Sequence, residues 1–142
     1  MMSSIIGGLF NFSDRLQIES LGQRNRRSEV ISANIANAET PGYRAFGYDF
    51  EKQLQDLSKA NIASPVKVSD PRHLRNAFTR ADGTLTPEVY VRPTESVDED
   101  GNTVDMDAEM AQLAQNQILF KTAVETLNRK IGTLRYAING GR

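Results

Sequence analysis

The residue types that could carry chemistry are few in this chain and poorly spaced for it. His73, in "SDPRHLR", is the single histidine, and there is no cysteine. A metal site needs several ligands at suitable spacing, and Asp70 alone does not complete one, so His73 reads as a structural or surface residue. Ser13 and Ser32 lack the context of a nucleophile elbow. The glycines of "IIGGLF" are not followed by the lysine and hydroxyl residue that a phosphate-cradling loop requires. The nearest approach to a ligand loop is "SVDEDGNTVDMD", Ser96 to Asp107, which puts Asp98, Asp100 and Gly101 at positions three, five and six of a calcium loop. Positions one and twelve are then Ser96 and Asp107, where the motif needs aspartate and a bidentate glutamate, and no amphipathic helix precedes it. It reads as a polar turn whose acids serve the start of the following helix. The basic run Arg24 to Arg27, with Glu19 and Glu29 nearby, reads as a solvated helix face or a subunit contact. No catalytic, cofactor or metal residue emerges, and neither does a small-molecule substrate.

The totals point the same way. The chain has 142 residues, of which 39% are hydrophobic and 7% aromatic, with no tryptophan. That is lean for a globular enzyme and sufficient for a helical interaction protein. Seventeen basic residues stand against 18 acidic ones, so no global field draws the chain onto nucleic acid or anionic lipid. The charge is instead segregated. Glu95 to Glu109 carries seven acids and no base, whereas Met110 to Arg142 carries five bases and the single acid Glu125. Without cysteine there is no disulfide or thiolate chemistry, which suits either the cytosol or an exported assembly. No apolar stretch approaches the roughly 20 residues of a membrane span. The opening "MMSSIIGGLFNFSDR" lacks the basic and long apolar regions of a cleaved secretory signal.

The elements that would position any functional surface fall into three parts, 1–42, 43–104 and 105–142. In the last, Met106, Met110, Leu113, Gln117, Phe120, Val124, Leu127, Ile131, Leu134 and Ile138 are spaced 4-3-4-3 without a miss. Such a sustained repeat predicts a coiled-coil seam on one long helix. Asp105, Asp107 and Glu109 at its start and Lys130 and Arg135 near its end complement the helix dipole, and Asn139-Gly140-Gly141 supplies the stop. From Asp105 to Ile138 the helix would be roughly 50 Å long. Gln117, the one polar seam residue, has two open readings: tolerated near solvent, or fixing register at some cost in stability.

The first part predicts a second long helix with a less regular stripe: Ile5, Leu9, Phe12 and Leu16, then a slip to Leu21, Ser28, Ile31 and Ile35. Gly7-Gly8 predicts fraying up to about Leu9 in an isolated subunit. The helix should end near Asn37 or Ala38, because Pro41 disfavours the α conformation at Thr40 and Gly42 lets the backbone turn sharply. In the middle, Phe46, Tyr48 and Phe50 alternate like a short strand, "FEKQLQDLSKA" suits a short helix, and "PVKV" and "TPEVYVRP" read as short extended pieces. The expected fold is mainly α: two long terminal helices as a coiled-coil-like pair, with a small irregular middle containing short extended segments.

The segments "SANIANAETPGYRAF" and "GNTVDMDAEMAQLAQNQILFKTAVETLNRKIGTLRYAI" resemble the paired terminal signatures of the bacterial flagellar axial proteins, the rod, hook and hook-filament junction family. The short length, "YRAFGYDFEKQL" and "SDPRHL" are most similar to its proximal rod members. The likeness covers both terminal helices and parts of the middle, about two-thirds of the chain. Asn34, Ala36, Asn37, Thr40, Pro41, Gly42 and Tyr43 stand where the rod signature has them, and the large inserted domain of hook and distal-rod members is absent. The resemblance implies a non-catalytic structural subunit of the basal-body rod, crossing the periplasm and transmitting torque to the hook. It implies terminal helices packed in concentric tubes, and partners that are other copies, other rod proteins and the rod's base at the motor ring and export apparatus. It also implies export by the flagellar type III apparatus without signal cleavage. On this reading the first helix ends at Pro41 because the chain leaves the tube wall there, and the aromatic run docks the departing segment against neighbouring helices. The rival is a soluble homo-oligomeric helical adaptor or chaperone that closes into a dimer through the heptad seam; sedimentation separates the two.

Overall fold

The computed structural model describes residues 12–62, 85, 87–93 and 97–140. Five elements follow in order: α1 (Phe12–Ala36), β1 (Phe46–Asp49), α2 (Glu51–Ile62), β2 (Glu88–Val91) and α3 (Met106–Ile138). The chain is mainly helical, its two long helices pack on each other, and the middle contributes a two-stranded antiparallel sheet and a short helix. The expected fraying around Gly7-Gly8, the extended "PVKV" and His73 lie outside the described residues.

α3 begins and ends where its residue types require. The Asp105 carboxylate accepts the Ala108 N–H at 3.0 Å, which satisfies one of the orphan donors of the first turn. At the far end Asn139 is the C-cap, and Gly140 follows at φ +69°, a conformation that glycine adopts without a Cβ clash. Between these caps lie 33 residues, about 50 Å of helix.

The middle folds onto α1. Phe46 pairs with Val91, and Gly47, Tyr48 and Asp49 continue the register to Tyr90, Val89 and Glu88. Alternation sends Tyr48 inward, and Phe50 follows it into a small core with Leu85, packed against Val30 of α1 and Leu54 and Leu57 of α2. Tyr48 donates its hydroxyl to Gln23 Oε1, and the Arg24 guanidinium lies 5.5 Å from the centre of the Phe50 ring. Arg27 is ion-paired with Glu51. The aromatic run therefore docks on the first helix of its own chain. Two of the three arginines of the run that reads as a solvated face or a subunit contact, Arg24 and Arg27, hold that docking in place.

The pairing of α1 with α3 differs from the seam expected from spacing. The fully buried residues of α3 are not the apolar repeat but Glu109 and Asn116, one position away from Met110 and Gln117. Of the repeat, Leu113, Val124, Leu127 and Leu134 are half-buried, Phe120 is at the border of exposure, and Met110, Gln117, Ile131 and Ile138 are exposed, Met110 at 50% and Ile138 at 76%. The reason is that α1 offers polar partners along its facing side. Glu109 meets Asn34, Asn116 meets the Arg24 carbonyl, and Lys130 meets Asp14. Satisfying these turns the polar row of α3 inward and leaves one flank of the apolar stripe outside. On α1, Ile31 is buried, Leu16, Leu21, Ser28 and Ile35 are half-buried, and Phe12 is exposed.

Candidate functional site

The signature after α1 is wired into the fold from both ends of the chain. α1 stops at Ala36 and runs into turns in which Ala38 N–H donates to Ile35 O at 3.2 Å and Thr40 N–H to Asn37 O at 3.0 Å. Gly42 then reverses the chain at φ +70°, where L side chains are strained. A helix end leaves carbonyls without partners. Here a residue distant in sequence supplies them: the Asn102 amide donates to the carbonyls of Asn37, Ala38 and Thr40 at 3.0, 2.8 and 2.9 Å. Asn102 Oδ1 accepts the Val104 N–H at 2.8 Å, so the side chain is used at both ends, and it is almost wholly buried.

The turn that carries Asn102 is the acidic loop that mimics a calcium motif. Gly101, at φ +84°, donates its N–H to Asp98 O, and the Asp100 carboxylate accepts the Asn102 N–H at 3.1 Å. Its carboxylate closes the turn. The loop lies against the signature: Gly42 N–H donates to Asp100 O, Thr103 N–H to Tyr43 O, and Ala45 N–H to Thr103 Oγ1. A Cβ at Gly101 would come 3.6 Å from the Gly42 Cα, so the two left-handed glycines sit back to back.

Asn34 is the hub. It is fully buried, donates through Nδ2 to Phe46 O (2.8 Å) and Glu109 Oε2 (3.2 Å), and accepts through Oδ1 from Phe46 N–H (3.0 Å) and the Tyr43 hydroxyl (3.3 Å). One amide thus ties α1 to β1 and to the first turn of α3. Glu109, also fully buried, is ion-paired with Arg92 at 2.6 Å, and Arg92 donates to Phe46 O at 3.2 Å. A buried carboxylate is tolerable only with such partners. Glu109 reads in the sequence as one of three acids that complement the helix dipole; tertiary packing draws it into this network, and Asp105 and Asp107 are exposed at the helix start.

Of the signature residues, Asn34 is buried, Asn37 and Tyr43 are half-buried, and Ala36, Thr40, Pro41 and Gly42 are exposed. Asn37 donates to Ala33 O at 2.8 Å, and the Thr40 hydroxyl donates to Asn37 Oδ1 at 3.2 Å. The buried members organise the subunit, and the exposed ones lie on its surface. Sequence reading missed Asn102, Arg92, Asn116 and the Lys130–Asp14 pair. The one available signal was that Glu109, Asn116 and Lys130 share a heptad position beside the apolar repeat.

The surface also carries apolar area that the subunit does not use. Met110, Ile131 and Ile138 lie in one heptad row and are exposed, and Ile118, Leu119 and Tyr136 are exposed elsewhere on α3. Among the described residues no group of three or more His, Asp or Glu side chains converges to hold a metal, and no helix is long and apolar enough to cross a membrane. Burial raises the Tyr48 phenol above its usual range, a hydrogen bond from Arg26 opposing the shift, and burial lowers the Arg24 guanidinium, opposed by Glu51. Both belong to the docking of the middle region.

Comparison with known proteins gives one family. The profile described as flagella basal body rod protein matches residues 15–44, which is α1 and the signature turn. The flagellar basal body rod protein FlgB of Buchnera aphidicola subsp. Acyrthosiphon pisum is 31% identical over 140 residues, covering 98% of this chain and all of that relative. FlgB of Escherichia coli K12 is 34% identical over 128 residues, covering 89% and 93% of the two chains. FlgB of Cereibacter sphaeroides is 34% identical over 131 residues, covering 91% and 97%.

Proposed function

The chain belongs to the FlgB family of flagellar basal body rod proteins and is a structural subunit of the rod, and from that premise we propose how it is built in. It polymerises through α1 and α3 with other copies and with other rod proteins, its base meets the motor ring and export apparatus, and the assembled shaft passes torque to the hook. It crosses the periplasm after export by the flagellar type III apparatus without signal cleavage, and it carries no catalysis of its own.

One observation supports assembly through the terminal helices. The apolar row Met110, Ile131 and Ile138, with Gln117 and the half-buried Val124 in the same row, is turned away from α1. Exposed apolar rows on a long helix mark contact surfaces. The parallel row Leu113, Phe120, Leu127 and Leu134 faces more toward α1, so the heptad stripe serves two neighbours, one inside the subunit and one outside. This division selects the test. Leu127 is half-buried in the subunit itself, and an aspartate there would damage the fold before it reported on assembly. Met110→Asp is the cleaner probe, because a surface substitution changes stability by no more than about 0.5 kcal/mol. The variant should be exported and as stable as the parent, yet leave cells without hooks or filaments. Normal rods built from exported Met110→Asp would show that this flank is not an assembly surface.

A further inference from the structure

The apolar rows of α3 do not by themselves say how far α3 slides along α1. Leu113, Phe120, Leu127 and Leu134 recur every seven residues, so a slide of one heptad sets a large apolar side chain where another was along most of the row. The row beside them is different at each step: Glu109, Asn116, Ala123, Lys130. Its three polar members each meet a different group on α1, namely the Asn34 amide, the Arg24 carbonyl and the Asp14 carboxylate. Those partners lie ten residues apart in descending order, as an antiparallel helix pair requires. A slide of one heptad would put Asn116 opposite Asn34 and carry Lys130 away from Asp14, leaving that buried carboxylate facing a different row member.

We infer that Asn116 and the Lys130–Asp14 pair are specificity-determining residues that set the axial register of the two terminal helices. Their arrangement is not the one that would maximise stability. Asn116 Nδ2 donates to Arg24 O at 2.8 Å, but Asn116 Oδ1 and Arg24 Nη1 are buried without a hydrogen-bond partner among the described residues. A leucine at 116 would avoid that cost, and it would also make the row as repetitive as its neighbours. A polar residue in a helix seam that costs stability and excludes wrong registers is the best attested use of buried polarity. Register matters outside the subunit because the exposed Met110–Ile131 flank and the outer face of α1 together form the surface a neighbour meets. A slip of one heptad displaces one against the other by about 10 Å. That consequence rests on the rod function proposed above; the register itself does not.

The absence of native cysteine makes the register measurable with nitroxide labels on Asn25→Cys and Arg129→Cys, two exposed positions well offset along the helix axis. The parent should give one distance. The variant Asn116→Leu/Lys130→Leu/Asp14→Leu should fold, with a melting temperature equal to or above the parent's, and show a second distance population displaced by about 10 Å. Asn116→Leu alone should keep the parent melting temperature or raise it and show a smaller second population. Expressed in cells lacking the parent gene, the triple variant should build at least tenfold fewer rods than the parent. A single parent-like distance in the triple variant would overturn the inference. So would a triple variant that fails to fold while Asn116→Leu keeps a single distance, since the row would then hold the pair together without choosing its register. If the parent gene itself fails to restore rods, the rod function falls and the distance result still decides the register.

Discussion

Replacing Asn34 by alanine should cost roughly 3–5 kcal/mol of folding stability, far more than a helix-terminal asparagine usually carries. The magnitude follows from what each partner is left with. Tyr43 is half-buried and its 3.3 Å bond is long for a hydroxyl donor, so losing it costs little. Phe46 O retains the Arg92 guanidinium at 3.2 Å. Phe46 N–H has no other acceptor among the described residues and would be orphaned at about 1–3 kcal/mol, and Glu109, fully buried, would lose a bond to a charged group worth about 1.5–3 kcal/mol. Against a total of about 5–15 kcal/mol for a domain, that leaves a subunit near its midpoint at ordinary temperature. Urea titration followed by helix ellipticity measures the change, with Asn25→Ala as control because Asn25 is exposed and its side chain donates to the exposed Glu29 at 3.1 Å. The control should shift by no more than about 0.5 kcal/mol. A loss below about 1 kcal/mol for Asn34→Ala, at an unchanged denaturant slope, would refute the hub: the slope shows whether the same surface is exposed on unfolding. Loss of motility in this variant would then reflect a broken subunit rather than a lost contact between subunits.

Gly42→Val should destabilise by about 1–3 kcal/mol although a Cβ there meets nothing within 4 Å, because the cost comes from φ +70° and not from crowding; Gly42→Asn, which tolerates that conformation, should keep most of the stability, and equal melting temperatures for the two variants would contradict this. Tyr48→Phe should cost about 1 kcal/mol at neutral pH by removing the bond to Gln23. The same substitution should flatten the alkaline limb of stability: above pH 10.0, the ordinary tyrosine value, the unfolded chain gives up the phenol proton while burial makes the folded chain keep it, so the parent loses stability as pH rises. Parallel alkaline limbs for parent and variant would show that another group governs that transition.

Local rules written in the sequence were enough for the elements and the family. The caps of α3 at Asp105 and Asn139-Gly140, the end of α1 before Pro41 and the alternation of Phe46, Tyr48 and Phe50 each depend on backbone preferences or short-range hydrogen bonds, which residue types at close spacing decide. The signature around Asn34 to Tyr43 was likewise legible as a motif, but not what it does. Asn102 caps α1 from more than 60 residues away, and Arg92 and Asn34 converge on Glu109 from two other elements. Periodicity identifies an apolar stripe on α3 but cannot rank it against a polar row one position away, because the free energy of burying Glu109, Asn116 or Lys130 is unfavourable alone and becomes acceptable only when a partner stands opposite. Whether that partner exists is a property of α1 at the right height. The tertiary structure therefore decided which face of α3 turns inward, and with it which part of the repeat stays exposed.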